Sequence, residues 1–142
     1  MKNILLITLS ILLIFSCSKP KDEYEVGEIY YKGHDLVVEK FSDKLVTGTI
    51  YIDYPGKKVI LGKVKDGKMY GKWTSWYRSG VKETEVYYND GKMDGDYIEY
   101  YEDGEKQKEG EFFNGKKTGT WKYYYKDGSI RLIEDCSKID CN

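Results

Sequence analysis

The amino-acid sequence predicts an all-β protein built of tandem β-hairpin repeats with a period of about 23 to 24 residues, forming an elongated antiparallel sheet or open solenoid. Three observations carry this expectation. Glycine recurs every 24 residues in three columns: Gly67, Gly91 and Gly115; Gly71, Gly95 and Gly119; Gly80, Gly104 and Gly128. Aromatic residues keep the same spacing, as Trp73, Tyr97 and Trp121; Trp76, Tyr100 and Tyr124; and Tyr77, Tyr101 and Tyr125. Beyond the N-terminal leader, no stretch of about ten residues places apolar side chains at helical spacing.

The chain opens on Met1-Lys2-Asn3, a short basic start, followed by a nearly unbroken apolar run over residues 4–15 that ends at Ser16-Cys17. That run is shorter than the roughly 20 residues a membrane-crossing helix needs. Residues 1–16 are therefore expected to be a secretory signal peptide. Ile14, Phe15 and Ser16 before Cys17 resemble a bacterial lipobox, although Phe15 is bulkier than the residue usual there. The resemblance implies cleavage before Cys17, diacylation of its sulfur and acylation of the new amino terminus, and several acyl chains on one residue anchor stably. Ser18 rather than Asp after the cysteine fits sorting to an outer membrane in a diderm cell. Residues 17–26 are expected to be the lipidated cysteine and a short tether, since 18–25 are polar and carry a proline.

The remainder, 27–142, is expected to be the repeat domain, with about four units. The first, over residues 27–42, is partial or capping, since Gly33 to Gly56, Asp43 to Asp66 and Gly48 to Gly71 keep a looser period of 23. Asp66-Gly67, Asp90-Gly91 and Asn114-Gly115 are dipeptides suited to tight hairpins, because both central residues must accept positive φ. Ser79-Gly80, Asp103-Gly104 and Asp127-Gly128 give a second set of turns. Between them, segments 72–77, 96–101 and 120–125 are short and aromatic, hence strands. In the last, alternation puts Trp121, Tyr123 and Tyr125 on one face and Lys122 and Tyr124 on the other.

Composition agrees with a thin sheet. Fifteen tyrosines supply flat apolar rings with polar tips, which suits half-wet surfaces better than a thick aliphatic core. Without residues 1–16, which contain one lysine, 22 basic and 24 acidic side chains remain, interleaved along the chain. No basic stripe of the kind nucleic acid requires is present, so nucleic acid is not an expected partner.

Glu109-Gly110-Glu111-Phe112 followed by Asn114-Gly115-Lys116-Lys117-Thr118-Gly119 resembles a MORN (membrane occupation and recognition nexus) repeat. Gly62-Lys63-Val64 with Asp66-Gly67 and Gly71 matches more loosely. Trp73, Tyr97 and Trp121 stand where the standard motif commonly has glycine, a departure that resembles the bacterial variant. The resemblance covers residues 43–134. It implies extended sheets of hairpins acting as scaffold, membrane-associated or protein-binding modules, and some bacterial relatives are catalogued as antitoxins.

Candidates for chemistry have bland readings. His34, the only histidine, has Asp35 beside it but no further partner set, so an exposed loop residue is expected. Carboxylates such as Asp94, Asp96, Glu109 and Glu111 read as solvated strand faces balanced by lysines. The glycine-rich 67–71 segment reads as a turn opening a strand. Cys136 and Cys141 suit a local disulfide in an exported protein, and two ligands alone make a poor zinc site, so neither metal nor cofactor is expected. The Trp73 column reads as packing between repeats. The less uniform Trp76, Tyr100 and Tyr124 column is the candidate binding surface. The expectation is a lipid-anchored envelope protein, without enzymatic activity, that binds or scaffolds a protein partner; the competing expectation is an antitoxin or immunity-like protein.

Overall fold

The computed structural model of the chain describes residues 21–33, 36–137 and 141. The segment expected to be a signal peptide, with Cys17 and His34, lies outside the described residues. Eleven strands follow: β1 (Glu23–Glu25), β2 (Ile29–Lys32), β3 (Leu36–Glu39), β4 (Gly48–Tyr54), β5 (Lys57–Lys65), β6 (Lys68–Trp76), β7 (Lys82–Asn89), β8 (Lys92–Tyr100), β9 (Lys106–Phe113), β10 (Lys116–Tyr124) and β11 (Ile130–Asp135). One 3-10 turn, Val26–Glu28, is the only helical element among the described residues. Nine strands form an open sheet in the order β1-β4-β5-β6-β7-β8-β9-β10-β11, with β1 and β11 at its edges. From β4 onward every neighbour is antiparallel and consecutive in sequence, as tandem hairpins require.

The turn chemistry explains why the chain reverses where it does. Asp66 and Gly67, Asp90 and Gly91, and Asn114 and Gly115 all have positive φ, from 49° to 85°, the backbone of a type I′ hairpin. The second set differs. Gly80, Gly104 and Gly128 alone have positive φ, and each closes a turn in which its N–H donates to the carbonyl three residues back, Tyr77, Tyr101 or Tyr125. These are three-residue loops ending in a left-handed glycine. Strands therefore stop at Trp76, Tyr100 and Tyr124, one residue earlier than expected.

Register sorts the side chains into two faces. Trp73 lies opposite Val86, Val86 opposite Tyr97, and Tyr97 opposite Gly110; this is the stacking face. Thr74 lies opposite Glu85, Glu85 opposite Ile98, Ile98 opposite Glu109, and Glu109 opposite Lys122; this is the carboxylate face. On the stacking face Trp73 and Trp121 lie over the backbone of Gly62 and Gly110, so closely that a Cβ on either glycine would overlap the indole. The indole N–H of Trp73 donates to the Lys63 carbonyl at 3.0 Å and that of Trp121 to the Glu111 carbonyl at 3.2 Å. Tyr97 packs on Phe112 and Trp121 with ring centroids 5.5 and 5.6 Å apart. The Trp73 column thus packs the repeats together.

Two features of the N-terminal end differ from expectation. The segment 17–26 is not a tether throughout: β1 pairs in parallel with β4, Glu23 opposite Thr49, and Tyr24 is buried. The buried Tyr24 ring and the backbone pairing with β4 hold these residues on the sheet. The partial first unit forms a separate hairpin, β2 with β3, laid against the sheet. The Val37 N–H reaches the Gly67 carbonyl at 2.7 Å, and the Gly67 N–H reaches Val46 at 2.8 Å. Beneath this cap Val37, Val46, Ile50 and Val64 are fully enclosed, an aliphatic core that the tyrosine-rich composition did not suggest.

Candidate functional site

Trp76, Tyr100 and Tyr124 occupy the same place in successive repeats, each half-buried, and Tyr100 and Tyr124 lie on the carboxylate face. Each sits at a β-bulge: the register shifts between Ser75 and Trp76, between Glu99 and Tyr100, and between Tyr123 and Tyr124. A bulge re-aims the side chain beside it and increases local twist, so the sheet presents this column at the strand ends.

Tyr100 and Tyr124 are held from below. The Tyr100 hydroxyl donates to Glu85 at 3.0 Å, and the Tyr124 hydroxyl donates to Glu109 at 2.6 Å. Lys72 and Lys82 also bind Glu85, at 2.7 and 2.8 Å, while Lys106 binds Glu109 at 2.6 Å with Lys122 at 3.9 Å. Burial pushes the Glu85 carboxyl up, but hydrogen bonds from Lys72, Lys82 and Tyr100 outweigh it and bring it down to about 2. Hydrogen bonds from Lys106 and Tyr124 likewise hold Glu109 below the usual carboxylate range. The Tyr124 hydroxyl is pushed up to about 12, first by its bond to Glu109 and then by burial. These carboxylates are charged at neutral pH, which makes them fixed acceptors and unsuited to donating a proton.

Trp76 breaks the pattern. Twenty-four residues before Glu85 the chain has Leu61, so the first member of the column has no matching carboxylate. Its Nε1 is the one buried side-chain N or O atom without a hydrogen-bond partner among the described residues. Trp76 lines an open groove of about 350 Å³ with Tyr31, Tyr54, Leu61, Met69 and Trp73. A second groove, of about 550 Å³, runs along the carboxylate face beside Ile98, Glu109, Thr120 and Lys122.

Sequence reasoning missed the two carboxylates that organise this face. Glu109 was expected to be solvated, yet its side chain is only 25% exposed and Glu85 only 12%. The available signal was their own 24-residue spacing, and the constant 15 residues from each to a tyrosine of the column. The third aromatic column is structural in part: the Tyr77 hydroxyl donates to the Tyr100 carbonyl at 2.7 Å and the Tyr101 hydroxyl to the Tyr124 carbonyl at 2.8 Å. Each tyrosine straps its loop to the next repeat.

Cys136 and Cys141 are disulfide-bonded, with Cα atoms 5.5 Å apart, and pack against Trp121. The Cys136 N–H donates to the Gly119 carbonyl at 2.8 Å. Glu134 and these two cysteines bring their ligand atoms within 4.8 Å of one another, but the sulfurs are committed to each other and are not free thiolates for a metal. Gly67, Gly91 and Gly115 serve the hairpin turns.

Comparison with protein-family models, with curated proteins and with solved structures finds no match to this chain. The class established here is that of the fold: an open, single-chain antiparallel sheet of consecutive hairpins.

Proposed function

We propose that this chain is a MORN-like lipoprotein of the cell envelope, anchored through Cys17, whose repeat sheet binds or scaffolds another protein. The observation that carries the reading is the column of Trp76, Tyr100 and Tyr124: large half-buried aromatics, one per repeat, with lysine and ionised carboxylate pairs beside Tyr100 and Tyr124. Aromatic area combined with fixed acceptors and lysine donors is the composition of a protein-recognition surface, with anchors in the middle and polar groups that set register. The hydroxyls of Tyr100 and Tyr124 are already bonded to Glu85 and Glu109, so these anchors are pre-positioned and binding loses less conformational entropy.

The test is in-cell crosslinking of the full chain followed by mass spectrometry, run beside the triple variant Trp76→Ala, Tyr100→Ala, Tyr124→Ala. One dominant protein neighbour lost in the variant, with the β-sheet circular dichroism retained, is the expected result. The pair Tyr100→Phe, Tyr124→Phe removes the carboxylate bonds but keeps the rings, and is expected to retain that neighbour. Absence of any specific neighbour with the unaltered chain overturns the reading.

A further inference from the structure

The repeat loses two of its regularities at one place. Tyr54 stands 23 residues before Tyr77, much as Tyr77 stands 24 before Tyr101. Tyr77 and Tyr101 strap their loops to the carbonyls of Tyr100 and Tyr124, the column residues of the repeat that follows. The corresponding partner of Tyr54 is Trp76, yet the Tyr54 hydroxyl makes no hydrogen bond among the described residues. Trp76 in turn lacks the carboxylate that Tyr100 and Tyr124 have, and its buried Nε1 donates to nothing. Both residues line the groove of about 350 Å³.

Four strands build this groove. β2 contributes Tyr31, β4 Tyr54, β6 Trp73 and Trp76, and β7 Tyr88. Among the described residues no charged side chain lines it. An ionised ligand would be desolvated there without a partner, so the lining selects a neutral one. The Trp73 ring stands edge-on to Tyr88, centroids 6.3 Å apart, and its indole N–H is already taken by the Lys63 carbonyl. The groups left open are the Trp76 indole N–H and the hydroxyls of Tyr31, Tyr54 and Tyr88, none of which bonds a described residue. Burial pushes the Tyr31 and Tyr88 hydroxyls up, so both remain protonated donors. Farther along the sheet the contrast is plain: Tyr97, Tyr100, Tyr101, Tyr123 and Tyr124 all donate to an acceptor within the chain.

We propose that this groove binds a neutral sugar unit of an oligosaccharide. A sugar ring complements both halves of the lining. Its weakly positive C–H face lies on the negative faces of aromatic rings, and its oxygens accept from the indole N–H and the tyrosine hydroxyls. An acyl chain would cover the rings and leave the buried N–H unpaired. A peptide side chain would fill the space but bring one backbone carbonyl to four open polar groups. The volume lies at the small end of ligand sites and suits about one or two sugar rings. The site goes beyond the protein-binding column proposed above and shares only Trp76 with it. Tyr31, Tyr54 and Tyr88 lie outside that column, so either assignment can fail while the other stands.

The experiment titrates the full chain, in zwitterionic micelles free of sugar headgroups and with isotope-labelled indoles, with the N-acetylglucosamine trimer and with maltotriose. The expected result is that the Trp76 Nε1–H resonance, identified by its loss in Trp76→Phe, moves with a neutral sugar and saturates while that of Trp121 holds still. Tyr54→Ala, at a half-exposed position, is expected to weaken binding by about tenfold with circular dichroism unchanged. Tyr31→Phe with Tyr88→Phe keeps the rings, removes two hydroxyls and is expected to weaken it by about fivefold. No movement with either sugar at millimolar concentration, or movement indifferent to both sets of variants, overturns the site. A response to N-acetylphenylalaninamide with none to the sugars overturns the sugar assignment in favour of an aromatic peptide anchor.

Discussion

The two ends of the sheet solve the same problem with different chemistry. At the N-terminal end the β2–β3 hairpin lies across the sheet, and Val37, Val46, Ile50 and Val64 are enclosed between two layers. From β8 to β11 no second layer of strands covers the sheet among the described residues, where Trp121 is the one fully enclosed large side chain, 1% exposed, pressed onto Gly110 and bounded by Tyr97, Phe112 and the disulfide. Branched aliphatic residues need partners on all sides to leave water. An indole lying flat on a glycine backbone needs only one layer, because the strand itself is the second surface. A single sheet can thus be stable where its aromatics lie down and its glycines make room.

The sharpest way to break this comparison is to remove the indole. Trp121→Ala is expected to cost about 3–5 kcal/mol and to unfold β9 to β11 before the capped end, a non-uniform loss that hydrogen exchange resolves strand by strand. Uniform loss of protection would mean the two ends form one cooperative unit. Next in size is Gly110→Ala, where the new Cβ meets the ring of Trp121. It is expected to cost about 1–3 kcal/mol, and tryptophan fluorescence should report an exposed indole. The same substitution at Gly71, which has open space around its Cβ position, tests backbone strain without the ring.

The disulfide comes third. Cys136→Ser with Cys141→Ser opens a very short loop, so the expected loss is about 2 kcal/mol, confined to β10 and β11 in hydrogen exchange. The smallest effect concerns pH. Glu85 has a folded value near 2, below its ordinary 4.5, so its contribution is fully present above the ordinary value and fades as pH falls through 4.5 toward 2. Chemical denaturation from pH 6 down to pH 2 should show this loss, and Glu85→Gln should flatten it while costing about 1–2 kcal/mol at neutral pH. A variant as acid-sensitive as the unaltered chain would show that Glu85 does not carry the effect.

The periodic part of this architecture was legible because it is written in local terms. A type I′ turn needs two residues that accept positive φ, and Asp-Gly or Asn-Gly says so in two letters; Asp90 with Gly91 and Asn114 with Gly115 behave accordingly. The parallel β1–β4 pairing and the capping hairpin were not legible, because no neighbouring residue encodes what Tyr24 or Val37 will meet far along the chain. The seats for the tryptophans were hidden for a related reason. Gly62 and Gly110 belong to a column interrupted by Val86, so the column does not read as a glycine repeat. At the candidate site the three aromatics were visible as a period, but the carboxylates beneath two of them became meaningful only once register placed Glu85 below Tyr100 and Glu109 below Tyr124.

The tyrosine straps have a consequence for growth. Tyr77 reaches the Tyr100 carbonyl and Tyr101 the Tyr124 carbonyl across an identical 23 residues, so these two junctions share one strap. Cutting out or duplicating one 24-residue block leaves a strap of the same length, and each hairpin adds two strand spacings, about 10 Å of width. A change of span by whole repeats therefore keeps the strap bond, while the indole seats, which run Gly62, Val86, Gly110, set which block can stand next to which.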